Sequence, residues 1–430
     1  MAKGCAFVAQ RLRVGAGRPP RRLGGFRARA GGDGLGTGGA EGLGANRVTS
    51  LFGKGNALRQ LFLLSLLVLL APLAAPAEEP AASAPAPVVA SASTAPKWYE
   101  AVEVHGYVDA YYGVRFAGGQ DSPNSLRAFD TNNGFVLNLA KATILMNPTA
   151  SLPVGFRIDF GFGNTMNAIG DLDTLNPDAS RYLEQAYGTL KLGDFTVDLG
   201  KFVTSAGAEV VEAKDDWNYS RSLLFWWAIP TTHTGLRVGY GVPGVDGLTL
   251  QAGVVNGWDV AITDSAYKTL NLGVVYNGPS NTILSLVYYG GPNPTLVVPG
   301  GTAIGNWQNL LDLVLQRSFG DFTFNANGDY GILSGIGKWY GFSLMGRYSA
   351  FEDKLRISAR YEYFWDPEGL RVTFVPQGGQ YTEGTVTLGV PVTSNAEVRL
   401  EYRIDHANAP IFYGGNANDN TMEAALLVWF

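Results

Sequence analysis

The chain holds one cysteine, Cys5, and three histidines, His105, His233 and His406. A single cysteine excludes an internal disulfide and any zinc site built from paired cysteines. No GxSxG, HExxH, CxxC or phosphate-loop motif occurs in residues 78–430, so no catalytic residue, metal ligand set or cofactor is expected. His105 has Asp109 four residues along and His233 stands between threonines; each reads as a polar wall residue. No apolar run after residue 77 approaches the roughly 20 residues that cross a bilayer as a helix. Basic charge is scarce as well. Of 32 Lys/Arg and 37 Asp/Glu, 11 and 2 fall before residue 78, which leaves 21 and 35 and a net of −14. Such an acidic surface argues against nucleic acid as a partner.

What the first 96 residues do have is the form of an export region. Residues 1–47 are Gly/Arg-rich without hydrophobic periodicity, and read as a non-native or untranslated upstream segment. Translation from Val48 is the expectation, because no Met lies between Met1 and Met146. Precursor peptides from residues 5–40 in a mass spectrum would contradict it. Residues 48–77 read as a signal peptide. Lys54 and Arg59 precede the run from Leu61 to Ala75, and Ala75-Pro76-Ala77 fits the small-x-small cleavage rule. The Pro/Ala/Ser stretch 78–96 is a linker that cannot bury a core.

Residues 97–430 carry one pattern throughout. In 395–405, Ala396, Val398, Leu400, Tyr402 and Ile404 face one way, and Glu397, Arg399, Glu401, Arg403 and Asp405 the other. Only a strand separates these sets; a helix would mix them. Residues 354–363 and 322–330 repeat the alternation. The pattern predicts sixteen strands, near 102–115, 134–147, 153–164, 182–193, 195–205, 230–241, 246–257, 267–278, 281–290, 306–318, 321–331, 337–349, 353–364, 380–391, 394–406 and 421–430. NWQNLLDLVLQRS is the least regular. Connections alternate short and long, except that those near 258–266 and 332–336 are short for outer loops. The fold class expected is all-β: a transmembrane antiparallel up-and-down barrel with short periplasmic turns and long external loops. A soluble sandwich shares the alternation but not the export region or the loop asymmetry. The last strand, TMEAALLVWF, resembles the closing strand of outer-membrane barrels. That resemblance implies recognition of Phe430 by the barrel-assembly machinery.

Residues 200–237, GKFVTSAGAEVVEAKDDWNYSRSLLFWWAIPTTHTGLR, resemble the OmpL-like barrel porins (β-barrel porin-2). The similarity continues through VHGYVDAYYGV at 104–114 and HTGLRVGY at 233–240. It implies a bacterial outer-membrane pore for passive diffusion of small hydrophilic solutes, lipid and lipopolysaccharide around it, and, by analogy with sixteen-stranded porins, a homotrimer. It implies also that the third external loop, 206–229, folds inward as a constriction. Glu209, Glu212, Asp215, Asp216 and Arg221 suit that place, since acidic groups in a narrow passage concentrate cations. The bland reading is a solvated outer loop.

The inward face supplies Arg157, Arg347, Arg356, Arg360, Arg399 and Arg403. Together they are expected to form a basic wall opposite the acidic loop, although Arg399 and Arg403 alternate with Glu397 and Glu401 and can pair locally. Neutralising Arg356 and Arg360 is then expected to raise cation selectivity. Three readings stay open: a general diffusion pore; a substrate-preferring channel, with Trp217, Tyr219, Phe225, Trp226 and Trp227 stacking on saccharides; and a non-conducting barrel serving as enzyme or envelope anchor.

Overall fold

A computed structural model describes residues 97–116, 124–292 and 306–430. The upstream segment, signal peptide and linker lie outside these residues. The strands are β1 Val102–Arg115, β2 Gly134–Met146, β3 Val154–Phe162, β4 Leu183–Leu192, β5 Phe195–Val203, β6 Thr232–Gly241, β7 Leu248–Val255 and β8 Thr269–Gly278. They continue as β9 Thr282–Pro292, β10 Trp307–Phe319, β11 Phe322–Leu333, β12 Gly337–Ala350, β13 Leu355–Asp366, β14 Gly379–Thr393, β15 Ala396–Ala407 and β16 Asn418–Trp429. Each pairs antiparallel with its sequence neighbours, and β1 pairs with β16 to close the barrel.

The alternation in sequence becomes an inside and an outside. On β15, Val398, Leu400, Tyr402 and Ile404 are 41–42 % exposed, whereas Arg399, Glu401, Arg403 and Asp405 are 0–2 % exposed. Apolar side chains turned outward all round a closed sheet face lipid, because water would penalise so large an apolar belt. The interior carries the charge.

The seven connections 147–153, 193–194, 242–247, 279–281, 320–321, 351–354 and 394–395 are tight and lie at the end that holds both strand termini. The opposite end carries the other eight connections, numbered below as loops 1 to 8: loop 1 is described over 124–133 and loop 5 at residue 306, and the rest are 163–182, 204–231, 256–268, 334–336, 367–378 and 408–417. Loop 2 is not a plain loop: it contains α1 Asn164–Leu172 and α2 Pro177–Ser180. Loop 6 is only a three-residue turn.

The seam between β1 and β16 is tight at its lower end. Gly106 and Phe430 exchange both backbone hydrogen bonds at 3.1 Å, and the Phe430 ring lies where a Cβ on Gly106 would stand. Gly106→Val is therefore expected to slow closure and lower the yield of heat-modifiable barrel on a gel. A wild-type yield would contradict this.

Candidate functional site

Loop 3, residues 204–231, leaves β5 and turns into the barrel. Its sequence has two halves, and each half finds a matching surface. The first half, through Arg221, is polar. Arg221 holds it in a tight shape, donating to the carbonyls of Val210 and Val211 at 2.7 and 2.6 Å and pairing with Asp216 at 2.9 Å. Asp216 in turn accepts from the Val210 amide at 3.0 Å. Burial pushes the Asp216 carboxyl well above its usual range; the charge of Glu209 adds to this and Arg221 opposes it.

Wall side chains then satisfy the loop's backbone. Glu401 accepts from the amides of Tyr219 and Ser220 at 2.5 and 3.0 Å, and Glu362 from that of Leu223 at 2.6 Å. Arg399 donates to the carbonyls of Ala213 and Asn218, Arg403 to that of Arg221, and Arg360 to that of Ser220. Arg360 also pairs with Glu209 and Glu383, each at 2.6 Å. A loop inside a lumen must have its backbone groups bonded, and here charged wall residues do so.

This corrects the picture of a basic wall facing a passage. Arg360, Arg399 and Arg403 do point inward, but they are 1–3 % exposed and lie beneath the loop. Arg399 pairs with Glu397 at 2.7 Å, and Arg403 with Asp405 at 2.7 Å rather than with Glu401. Arg356 and Arg347 stand near the periplasmic rim. Arg356 reaches Glu397 at 2.6 Å across Gly389, whose missing side chain leaves the way open, and also bonds Asp353. Arg347 lies 3.9 Å from the same aspartate.

The acidic residues divide too. Glu209, Glu212 and Asp215 border a cavity of about 680 Å³ between loop 3 and the β1–β6 wall; Asp216 and Arg221 do not, being turned to each other inside the loop. Arg157, Tyr187 and Arg237 line its other side. The side chains of Arg157 and Arg237 are 34 % and 21 % exposed, paired with Asp159 and Asp198. Arg237 was not singled out from sequence. The alternation of HTGLRVGY would have placed it on the lumen face with His233 and Gly235.

Where loop 3 meets this wall, Lys141 lies 3.0 Å from both Asp159 and Glu184 and also bonds Glu212. The three acids bring oxygens within 4.8 Å of one another. The lysine ammonium is the cation among them, so the group does not fit a metal ion.

The apolar second half of loop 3 fills the external half of the lumen. Leu223, Leu224, Ala228 and Ile229 are at most 2 % exposed and pack with Leu126 of loop 1, Trp258 of loop 4, Trp339 and Phe364 of the wall, and Val372 of loop 7. Phe225 packs with Phe129, Met166 and Ile169 of loops 1 and 2. Trp227 donates to the Leu126 carbonyl at 2.9 Å, and Trp339 to that of Ala228 at 3.0 Å. Arg371 of loop 7 donates to the Trp227 carbonyl, and its guanidinium lies against the rings of Trp258 and Trp339, which meet each other edge to face. Trp226 and Trp227 thus meet Phe129 and Phe374, not lipid.

Asp259 of loop 4 accepts from the amides of Thr231 and Thr232 at 2.8 Å, where loop 3 rejoins the wall. Burial pushes its carboxyl up to about 6, against those hydrogen bonds and the charges of Arg371 and Lys201. A raised carboxyl gives stability that is full below the ordinary Asp range and lost as pH rises through about 6. Asp259→Asn is expected to flatten the thermal-unfolding midpoint of the detergent-solubilised barrel over that window. An unchanged pH profile would contradict this.

The histidines show no catalytic arrangement. His233 is buried on Tyr289 and bonds the Gly257 carbonyl, His105 lies by Glu103, and His406 by Asn418. Among the described residues, no histidine ring bonds a Ser, Thr or Cys.

A closed sixteen-stranded barrel with a lipid-facing apolar exterior, a charged interior and an inward loop defines a porin-type barrel of the bacterial outer membrane. The family model of the beta-barrel porin-2, OmpL-like proteins matches residues 101–429, and the chain belongs to that family. Among solved structures, it is similar to Salmonella typhi OmpF in complex with daunomycin (10% identity, TM-score 0.52, 76% of this chain and 97% of that one). It is similar also to the trimer form of OmpT, an outer membrane protein of Vibrio cholerae (13%, 0.51, 76% and 99%). A third is the anion-selective porin from Comamonas acidovorans (12%, 0.50, 76% and 99%). At these identities the likeness is one of fold. No curated protein matches the chain.

Proposed function

We propose that this barrel passes small hydrophilic solutes across the outer membrane, with loop 3 as its constriction. The observation that carries the reading is the placing of that loop: it lies inside the barrel and leaves a cavity along β1–β6 that charged side chains of wall and loop border. Solutes move between Arg157 and Arg237 on the wall and Glu212 and Asp215 on the loop. The packed external half acts as a gate, and its loosening opens the mouth. The saccharide reading keeps Trp217, which is half-buried, and Phe225, which borders the cavity, whereas Tyr219, Trp226 and Trp227 spend their faces on protein. The non-conducting reading draws on one observation, the dry packing from loops 1, 3, 4 and 7. No catalytic role is proposed.

We further propose export by a cleaved signal peptide, assembly through Phe430, contact with lipopolysaccharide and a homotrimeric state. The test of function is single-channel recording of the full chain, purified from outer membranes, in a planar bilayer under a salt gradient. Discrete, voltage-sensitive steps are expected, with the reversal potential shifting toward cation preference in Arg157→Gln/Arg237→Gln. No current at any voltage from heat-modifiable protein would favour the non-conducting barrel.

A further inference from the structure

Far from the cavity, β10 and β11 set Asp312 and Asp329 directly opposite each other in their ladder. Both face the lumen side and are 0 % and 4 % exposed. Directly opposed residues on one sheet face stand about 5 Å apart at Cβ, so the carboxylates are within reach of one ion. Asp312 Oδ2 accepts from the Asn327 side chain at 2.7 Å. Asp312 Oδ1 and both oxygens of Asp329 are buried without a well-formed hydrogen bond; the two carboxyls stand within reach of each other, the Gly207 amide of loop 3 approaches Asp312, and Glu362 adds like charge beside Asp329. No arginine or lysine among the described residues bears on either carboxylate.

A second observation comes from the next strand. Ser343 on β12 stands opposite Asn327, one lumen-facing step from Gly341, which is opposite Asp329. Ser343 is 1 % exposed, and its Oγ is also buried without a partner. Leu224 of loop 3 lies over Gly341, so apolar atoms roof this side.

Two buried carboxylates and a buried hydroxyl on three adjacent strands thus stand together with no cationic side chain among them. Burying a lone carboxylate costs several kcal/mol or more, and two of like sign cost more still. A shared proton would neutralise one charge and satisfy one contact. A hard divalent cation neutralises both and accepts six to eight oxygens, water completing the set. The contrast with Asp159, Glu184 and Glu212 is instructive, since there Lys141 already supplies the positive charge.

We infer that Asp312, Asp329 and Ser343 form a binding site for a divalent, oxygen-seeking cation of the calcium type, which ties β10, β11 and β12 together beneath loop 3. The site is independent of solute passage.

The test uses the full chain, folded in detergent without lipopolysaccharide, washed with chelator, and probed with radioactive calcium by equilibrium dialysis. A single saturable site in the wild type is expected, absent in Asp329→Asn and retained in Glu184→Gln. Calcium is also expected to raise the thermal midpoint of wild type but not of Asp329→Asn. Should that variant fail to fold, Ser343→Ala is expected to weaken calcium binding several-fold while keeping both charges. Equal binding by wild type and these variants, or none by wild type, overturns the assignment. So does a protonated-carboxyl infrared band, unaffected by calcium, that vanishes in Asp329→Asn, which would mark a shared proton.

Discussion

Arg360→Met is expected to lower the stability of the barrel by about 3–5 kcal/mol, because it leaves buried carboxylates without their counter-charge. The Arg360 side chain is 0 % exposed and bonds Glu209, Glu383 and the Ser220 carbonyl. Its loss frees the loop 3 backbone as well as two acids. Thermal unfolding in detergent measures the first effect, and protease cleavage within 204–231 the second. Arg356→Met is the control. Its side chain is 25 % exposed at the rim, its Asp353 partner is more exposed still, and the buried Glu397 keeps Arg399 at 2.7 Å, so its loss is expected to cost about 1 kcal/mol. Equal losses from the two variants would contradict the difference drawn between them. The expectation of a cation-selectivity change from both arginines gives way for Arg360, which meets the loop and not the solution.

Leu223→Ser with Leu224→Ser is expected to open the external half and raise single-channel conductance several-fold. Both leucines are 0 % exposed among loops 1, 4 and 7 and the wall. Each truncation removes about 2–5 kcal/mol of packing and adds a buried hydroxyl. A sixteen-stranded barrel is wide enough for an aqueous channel once nothing fills it. Val245→Ser, in the tight turn 242–247 at a residue 45 % exposed, is expected to change nothing. Unchanged conductance in the double variant would show that these leucines do not close the path.

The barrel was legible in sequence because a lipid-facing strand must alternate. The sixteen expected strands match the observed ones within about three residues at each end, the irregular β10 included. Alternation also placed Arg360, Arg399 and Arg403 on the inner face. It could not say what stands in front of them. Arg360 meets Glu209, 151 residues away, and a period of two carries no information about such a partner. The same limit hid the fate of Trp226 and Trp227. An aromatic pair reads alike at a membrane interface, on a sugar or in a packed mouth, and only Phe129, Phe374 and Leu126 decide it. Asp312, Asp329 and Ser343 were invisible for a related reason: β11 looks like a regular strand, and the lack of a counter-charge appears only once β10, β11 and β12 stand side by side.

The measurement that tests the central claim most directly is thiol labelling of the full chain in intact outer membranes, with Cys5 replaced and a cysteine placed at Tyr187 or at Leu224. Tyr187 lines the cavity and Leu224 lies in the packed external half. A small charged maleimide is expected to label Tyr187→Cys readily and Leu224→Cys slowly or not at all. Rapid labelling at both positions would mean that water runs the length of the barrel, and would contradict a lumen that is wet on one side and filled on the other.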